Sequence, residues 1–172
     1  MNNILLVVDM QNDFVTGTLK NVYTKEIIPS IKERIELAKK NDDFVFFTKD
    51  THFDNYLQTK EGKFIPVEHC IKNTWGWEIV NELKEYAEYI YEKSAFGCID
   101  LAINLLPFNF DSIEIVGTCT DICVLANAII LKNFFPEKDI IVNERCCSGT
   151  TKTNHLKALC IMENIGIIVK EI

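Results

Sequence analysis

Three side chains able to do chemistry stand at the ends of three separate apolar runs. Asp9 follows Ile4-Leu5-Leu6-Val7-Val8, Lys93 comes shortly after Tyr89-Ile90-Tyr91, and Cys123 lies beyond Ile113-Glu114-Ile115-Val116-Gly117. If those runs are neighbouring parallel strands, their carboxyl ends meet in one crevice, where open α/β sheets bind ligands. A thiol, a carboxylate and an ammonium in one pocket are the equipment for covalent catalysis by cysteine. The segment Gly117 to Val124 joins strand to helix, and Thr120 or Asp121 as N-cap would leave Cys123 in the first turn. Free amides and the helix dipole there favour a thiolate. Asp9 could take the thiol proton, and amides of the same turn could hold a tetrahedral oxyanion. Residue by residue the pattern stays open. Cys123 reads equally as a buried thiol facing the sheet, Cys119 is almost as good a nucleophile, Asp9 could cap a turn, and Lys93 could be a solvated surface lysine.

The elements that would position these groups are legible as an alternation. Apolar runs at 3–8, 44–48, 88–92, 112–117, 139–143 and 166–170 read as strands. Between them, Lys25 to Lys40 spaces Ile27, Ile28, Ile31, Ile35 and Ala38 for a helix, with Pro29 tolerated in the first turn. Glu78 to Tyr86, Ile99 to Leu105, Asp121 to Asn133 and Thr153 to Asn164 read as further helices, the last stopped by Asn164-Ile165-Gly166. Almost wholly apolar strands alternating with helices predict a parallel sheet covered on both faces, a three-layer αβα sandwich. One domain over residues 1–172 is expected. The stretch at about 49–77 breaks the alternation and holds two of the three histidines, so it reads as a site rather than a linker.

Composition removes several classes of function. A chain of 172 residues that is 48% apolar can bury a sizeable core, and its net charge of −7 gives no electrostatic reason to bind nucleic acid or an anionic membrane. Met1-Asn2-Asn3 leads into only a short apolar run closed by Asp9, unlike a secretion leader, and no run approaches the roughly 18 apolar residues of a membrane helix. The expected location is cytoplasmic. Seven cysteines, with no CxxC pair, then read as reduced thiols. Cys160 is expected in the core, Cys146-Cys147 as structural thiols at a strand end, and His155 on a helix surface or a subunit contact.

Val8-Asp9-Met10-Gln11-Asn12-Asp13-Phe14, Tyr91-Glu92-Lys93-Ser94-Ala95-Phe96 and Gly117-Thr118-Cys119-Thr120-Asp121-Ile122-Cys123-Val124 resemble, in order and spacing, the three signature segments of the isochorismatase-like cysteine hydrolases. The resemblance implies a six-stranded parallel sheet and an Asp-Lys-Cys triad at Asp9, Lys93 and Cys123, with Lys93 lowering the thiol pKa. It also implies a cis peptide at Thr118–Cys119 and an oxyanion hole from the amides of Cys119 and Cys123. Asp50-Thr51-His52, with Glu61 and His69 following, is similar to the metal loop of the nicotinamidase branch, with Glu61 as third ligand and Glu68 as the alternative. Two imidazoles with carboxylates suit Zn²⁺, Fe²⁺ or Mn²⁺, zinc being the first choice. By the same resemblance Phe14 packs on one side of a substrate ring, and Ile65, with Phe64 beside it, on the other. The implied activity is hydrolysis of a small carboxamide, nicotinamide first, through a thioester. The alternatives are another small amide, carbamoyl or vinyl-ether substrate, or a catalytically silent member binding a small molecule. A homo-oligomer is compatible with this reading, although no exposed face in the sequence predicts one.

Overall fold

In the computed structural model, which describes residues 3–171, the first apolar run forms strand β1 (Ile4–Val8), buried on both faces. It is followed by α1 (Asn12–Val15), α2 (Val22–Glu26), α3 (Ile28–Lys40), β2 (Phe44–Asp50), α4 (Lys60–Phe64), α5 (Asn81–Lys84) and β3 (Tyr89–Lys93). The second half contains α6 (Ile99–Leu105), β4 (Ser112–Thr118), α7 (Leu125–Phe134), β5 (Asp139–Ser148), α8 (Lys152–Asn164) and β6 (Ile168–Lys170). Met1 and Asn2, read above as the start of the chain, lie outside the described residues.

The six strands form one parallel sheet in the order β3-β2-β1-β4-β5-β6, with Ile4 opposite both Phe44 and Ile113. Alternation in β1 divides the core. Leu5 and Val7 face α3 and α5 with Ile31, Ile35 and Leu83, while Ile4, Leu6 and Val8 face α6, α7 and α8 with Leu101, Ala128 and Met162. This is the expected αβα sandwich. The chain winds outward from β1 through β2 and β3, then restarts on its other side with β4. The carboxyl ends of β1 and β4 therefore flank a topological switch point, where such sheets open a crevice. Gly117 makes that junction close: with φ of 120°, a Cβ there would collide with the Val8 carbonyl oxygen.

Departures from the sequence reading have local causes. The helix expected over 78–86 shrinks to α5 because Ile79 is drawn into an antiparallel bridge with Gln11, and Val80 N–H donates to Met10 O. The helix expected from Lys25 breaks at Ile27, and α2 starts earlier because Asn21 caps it, accepting from Tyr23 N–H at 3.0 Å. Strand β6 begins at Ile168 because Gly166 (φ 77°) and Ile167 close a Schellman cap on α8, donating to Glu163 O and Met162 O. Strand β5 runs on to Ser148 through a register shift opposite Ile115 and Gly117, so Cys146 and Cys147 lie buried at its carboxyl end. Cys160 is exposed, correcting its placement in the core, because α8 buries Ala158, Leu159 and Met162 instead. Among the described residues no helix is long and apolar enough to cross a membrane.

Candidate active site

Asp9 is the residue at which the chain leaves the sheet. Its φ of 50° turns the backbone sharply after β1, in a region that aspartate tolerates better than most residues. The side chain is fully buried, Oδ1 accepts from Thr48 Oγ1 at 2.7 Å, and Oδ2 lies 2.7 Å from Lys93 Nζ. Lys93, the last residue of β3, reaches inward across β2. Its Nζ also donates to Asp50 Oδ1 at 3.3 Å and to Cys123 Sγ at 3.6 Å. The structure thus brings Asp9, Lys93 and Cys123 together through one ammonium group.

Cys123 sits in a π-helical turn, Thr120–Val124, that leads into α7. Neither Thr120 nor Asp121 acts as its side-chain cap, as the sequence had suggested. Both are drawn to the other side: Thr120 Oγ1 bonds His155 Nδ1 at 2.8 Å, and Asp121 Oδ1 and Oδ2 accept from Thr150 N–H and Oγ1 at 2.8 and 2.6 Å. His155 is therefore an internal contact of this turn, not a free surface group. The Thr118–Cys119 peptide is cis. The Cys119 N–H, at the mouth of the same turn, has no acceptor among the described residues.

The electrostatics correct one expectation. Burial pushes the Cys123 thiol well above its ordinary pKa, and the nearby Lys93 only partly offsets it, so the resting sulfur is a thiol rather than the thiolate expected from dipole and lysine. Burial likewise raises Asp9 against the pull of Lys93. For Lys93 burial works downward, but the charges of Asp9, Cys123 and Asp50 outweigh it and lift its pKa well above the usual lysine value. The arrangement is a permanent ammonium, a carboxylate of enhanced basicity and a protonated thiol.

The loop 49–77 supplies the second half of the site. Asp50, His52, Glu61 and His69 each offer one ligand atom, and these atoms lie within 4.8 Å of one another. Glu68, the alternative to Glu61, points to solvent. His52 Nε2 is 3.0 Å from Asp50 Oδ2 and 3.5 Å from Glu61 Oε1, and His69 Nε2 is 3.4 Å from Asp50 Oδ2. His69 Nδ1 is engaged with Val67 O at 2.8 Å, which leaves Nε2 to face the cluster, the usual orienting contact of a metal-ligating histidine. Two imidazole nitrogens and two carboxylates, mostly buried, fit a divalent cation. Burial would raise Asp50, but Lys93 and the hydrogen bonds from His52 and His69 hold it well below the ordinary carboxylate range.

Between the two halves lies a cavity of about 440 Å³, walled by Cys119 and Cys123 on one side and by Asp50, Glu61 and His69 on the other. Phe14 and Ile65 line it, but Phe64 does not. Phe64 is 81% exposed, because it ends the short helix α4 on the face opposite the buried Gly62. Phe96 and Ile122 complete the apolar walls and were not singled out from sequence. Three polar supports were also missed. Thr48 holds Asp9. Tyr56 packs its ring against His52 and His69 at 4.5 and 5.0 Å. Asn127 joins Cys123 O to Phe96 O at 2.8 and 3.3 Å. Only Asn127 left a signal in sequence, one helical turn after Cys123 on the same face.

An all-parallel six-stranded sheet covered by helices, with its site at the switch point, defines an open α/β protein. The chain belongs to the isochorismatase family, whose domain model matches residues 3–171. Among solved structures it is similar to a pyrazinamidase of Pyrococcus horikoshii in complex with zinc, at 28% identity and a TM-score of 0.88, covering all of both chains. It is also similar to a nicotinamidase/pyrazinamidase, PncA, from Bacillus subtilis, at 26% identity and a TM-score of 0.89, covering 99% of this chain and 100% of that one. A nicotinamidase of Saccharomyces cerevisiae is 26% identical over 73% of this chain and 79% of its own length.

Proposed function

We propose that this chain, acting as a single domain, is a cysteine-dependent amidohydrolase that cleaves a small carboxamide, nicotinamide first, to the carboxylate and ammonia. The observation that carries the reading is the contact series Asp9–Lys93–Cys123, at 2.7 and 3.6 Å, which ends in Cys123 on the wall of a cavity that Asp50, Glu61 and His69 also line. The similar proteins named above act as nicotinamidases or pyrazinamidases, and one was solved with zinc. Asp9 takes the proton of Cys123 as sulfur attacks the amide carbon, because burial keeps the thiol protonated until then. The Cys119 and Cys123 amides receive the oxyanion, and Asp9 returns the proton to the departing ammonia, leaving a thioester on Cys123. Asp9 then deprotonates a water that attacks the thioester, which releases the acid and restores the thiol. The Lys93 ammonium keeps Asp9 ionised at rest and offsets negative charge as it grows on sulfur.

Asp50, His52, Glu61 and His69 would hold the metal, zinc in our reading with iron or manganese as the alternatives. When bound, it would supply an electrophilic anchor for a ring nitrogen of the substrate. Phe14, Phe96 and Ile65 would clamp the ring so that the carboxamide meets Cys123 in a near-attack geometry. A reducing, cytoplasmic location agrees with seven free cysteines. The test is elemental analysis of the purified protein with ammonia release from nicotinamide, before and after chelation and in Cys123→Ala. Loss of activity in both the chelated protein and the variant is expected. Undiminished release by Cys123→Ala would overturn the thioester route, and a metal-free protein inactive on nicotinamide would move the substrate to another branch of the family.

A further inference from the structure

Strand β1 turns away at Asp9, whereas its neighbour β2 runs on to Asp50 and is still paired with β3 there, Asp50 opposite Lys93. On the β1 side the Asp50 peptide group therefore has no strand to bond. The side chain of Gln11 takes the place of that strand. Asp50 N–H donates to Gln11 Oε1 at 2.7 Å, and Gln11 Nε2 donates to Asp50 O at 2.8 Å, closing a ring of two hydrogen bonds as a neighbouring main chain would. The second Nε2 proton goes to Trp77 O at 3.0 Å. Gln11 is fully buried, and its amide is used on both its donor and its acceptor side. Among side chains of this length only a primary amide offers donor and acceptor in one plane; glutamate as carboxylate cannot donate, and methionine offers neither.

Asp50 and Trp77 are the two ends of the loop that carries His52, Glu61 and His69, so Gln11 clasps the loop at its base. Trp77 Nε1 closes the same base from within, donating to Thr51 Oγ1 at 2.9 Å. The Asp50 carboxylate, held at this point, presents Oδ1 to Lys93 and Oδ2 to both imidazoles. We propose that Gln11 is a positioning residue for the metal centre. It touches neither substrate nor metal, and acts by fixing the peptide of Asp50 and the closure of the loop so that the ligand atoms converge. The inference rests on the reading of Asp50, His52, Glu61 and His69 as a divalent cation site.

The experiment uses the full chain and Zn²⁺ alone, with affinity measured by chelator competition and geometry by the visible absorption of the Co²⁺-loaded protein. Gln11→Met and Gln11→Glu are each expected to weaken Zn²⁺ binding about 10- to 100-fold, the usual effect of losing an outer support of a metal site, and to alter the Co²⁺ spectrum. Gln11→Asn keeps the amide but is one methylene too short to reach Asp50, and serves in the same role if the other variants do not fold. Ile35→Val, which loosens the core away from the loop, should leave both readouts unchanged. Wild-type affinity and spectrum in the Gln11 variants would overturn the proposal, as would an equal loss in Ile35→Val. Failure of the wild-type protein to bind Zn²⁺ would instead remove the metal reading beneath it.

Discussion

Replacing Lys93 with methionine would keep most of the side-chain volume and remove the one cation between two buried carboxylates. The ammonium lies 2.7 Å from Asp9 Oδ2 and 3.3 Å from Asp50 Oδ1, and all three side chains are nearly inaccessible. With an effective dielectric of about 20, these two attractions are worth roughly 6 and 5 kcal/mol before desolvation is counted. Desolvation of the three ions cancels much of that, but it is not recovered for the carboxylates when the cation alone is removed. Breaking a buried pair in this way typically costs about 3–5 kcal/mol, and two stranded carboxylates place Lys93→Met toward the upper end. With a urea dependence of roughly 2 kcal/mol per molar, a loss of about 4 kcal/mol lowers the unfolding midpoint by about 2 M. The measurement belongs on metal-stripped protein, where no other cation compensates Asp50.

The pH dependence carries a definite sign. Burial already raises Asp9 above its unfolded pKa, and loss of Lys93 raises it further. A group with a raised folded pKa contributes stability below its unfolded pKa and loses it as pH rises through the folded value. The deficit of Lys93→Met should therefore be smallest in acid and grow as pH climbs through the raised Asp9 pKa. Adding Asp9→Asn should recover a large part of the loss at neutral pH. A midpoint shift below about 0.5 M, or a second substitution that only adds to the damage, would refute the account of an ammonium that balances both carboxylates.

Three further outcomes are expected. The kcat/KM for ammonia release should fall on acidification at a pH above the ordinary carboxylate range, because burial raises Asp9, with no alkaline fall from Cys123 or Lys93 below about pH 9; a fall there would contradict the directions of both shifts. Phe96→Ala should raise KM about tenfold or more through lost apolar contact, while Phe64→Ala, at an exposed position, should leave it unchanged; the reverse result would place the ring elsewhere. In the resting protein at neutral pH, iodoacetamide should label Cys123 no faster than the exposed Cys160, as read by peptide mass spectrometry; rapid, selective labelling would mean that Lys93 outweighs burial.

The sheet was legible because its central strands, β1 above all, are apolar on both faces. The three reactive side chains were legible because each stands at a strand end or in the turn that follows one. What the sequence hid was supplied by distant contacts. Nothing local marks Gln11 as the substitute for a missing strand, since its partners lie 39 and 66 positions away. Tyr56 reads as a loop aromatic until His52 and His69 fold against it. Phe64 and Ile65 are adjacent and both apolar, and only the short helix α4, capped where Thr59 Oγ1 accepts from Gly62 N–H, decides which of them turns to the cavity. The protonation state of Cys123 failed for a different reason: a helix turn and a lysine are visible in sequence, but the burial that outweighs them is not.

Strand order explains why the long cation and the short carboxylate occupy the positions they do. From β3 to β4 there are three interstrand spacings of about 4.8 Å, or roughly 14 Å, a gap no lysine spans by itself. It is closed from both directions. Lys93 starts on the outermost of these strands and crosses the end of β2 to reach Asp9, while the turn after β4 brings Cys123 back over β1. Asp9, at the end of β1, needs only its one methylene to meet the ammonium, which in turn reaches Cys123. Asp50 lies beneath the crossing lysine at the end of β2, so one carboxylate borders both the ammonium and the imidazoles of the metal loop. The proposed nucleophile and the proposed cation site are thus neighbours by topology, with the cavity lined by both.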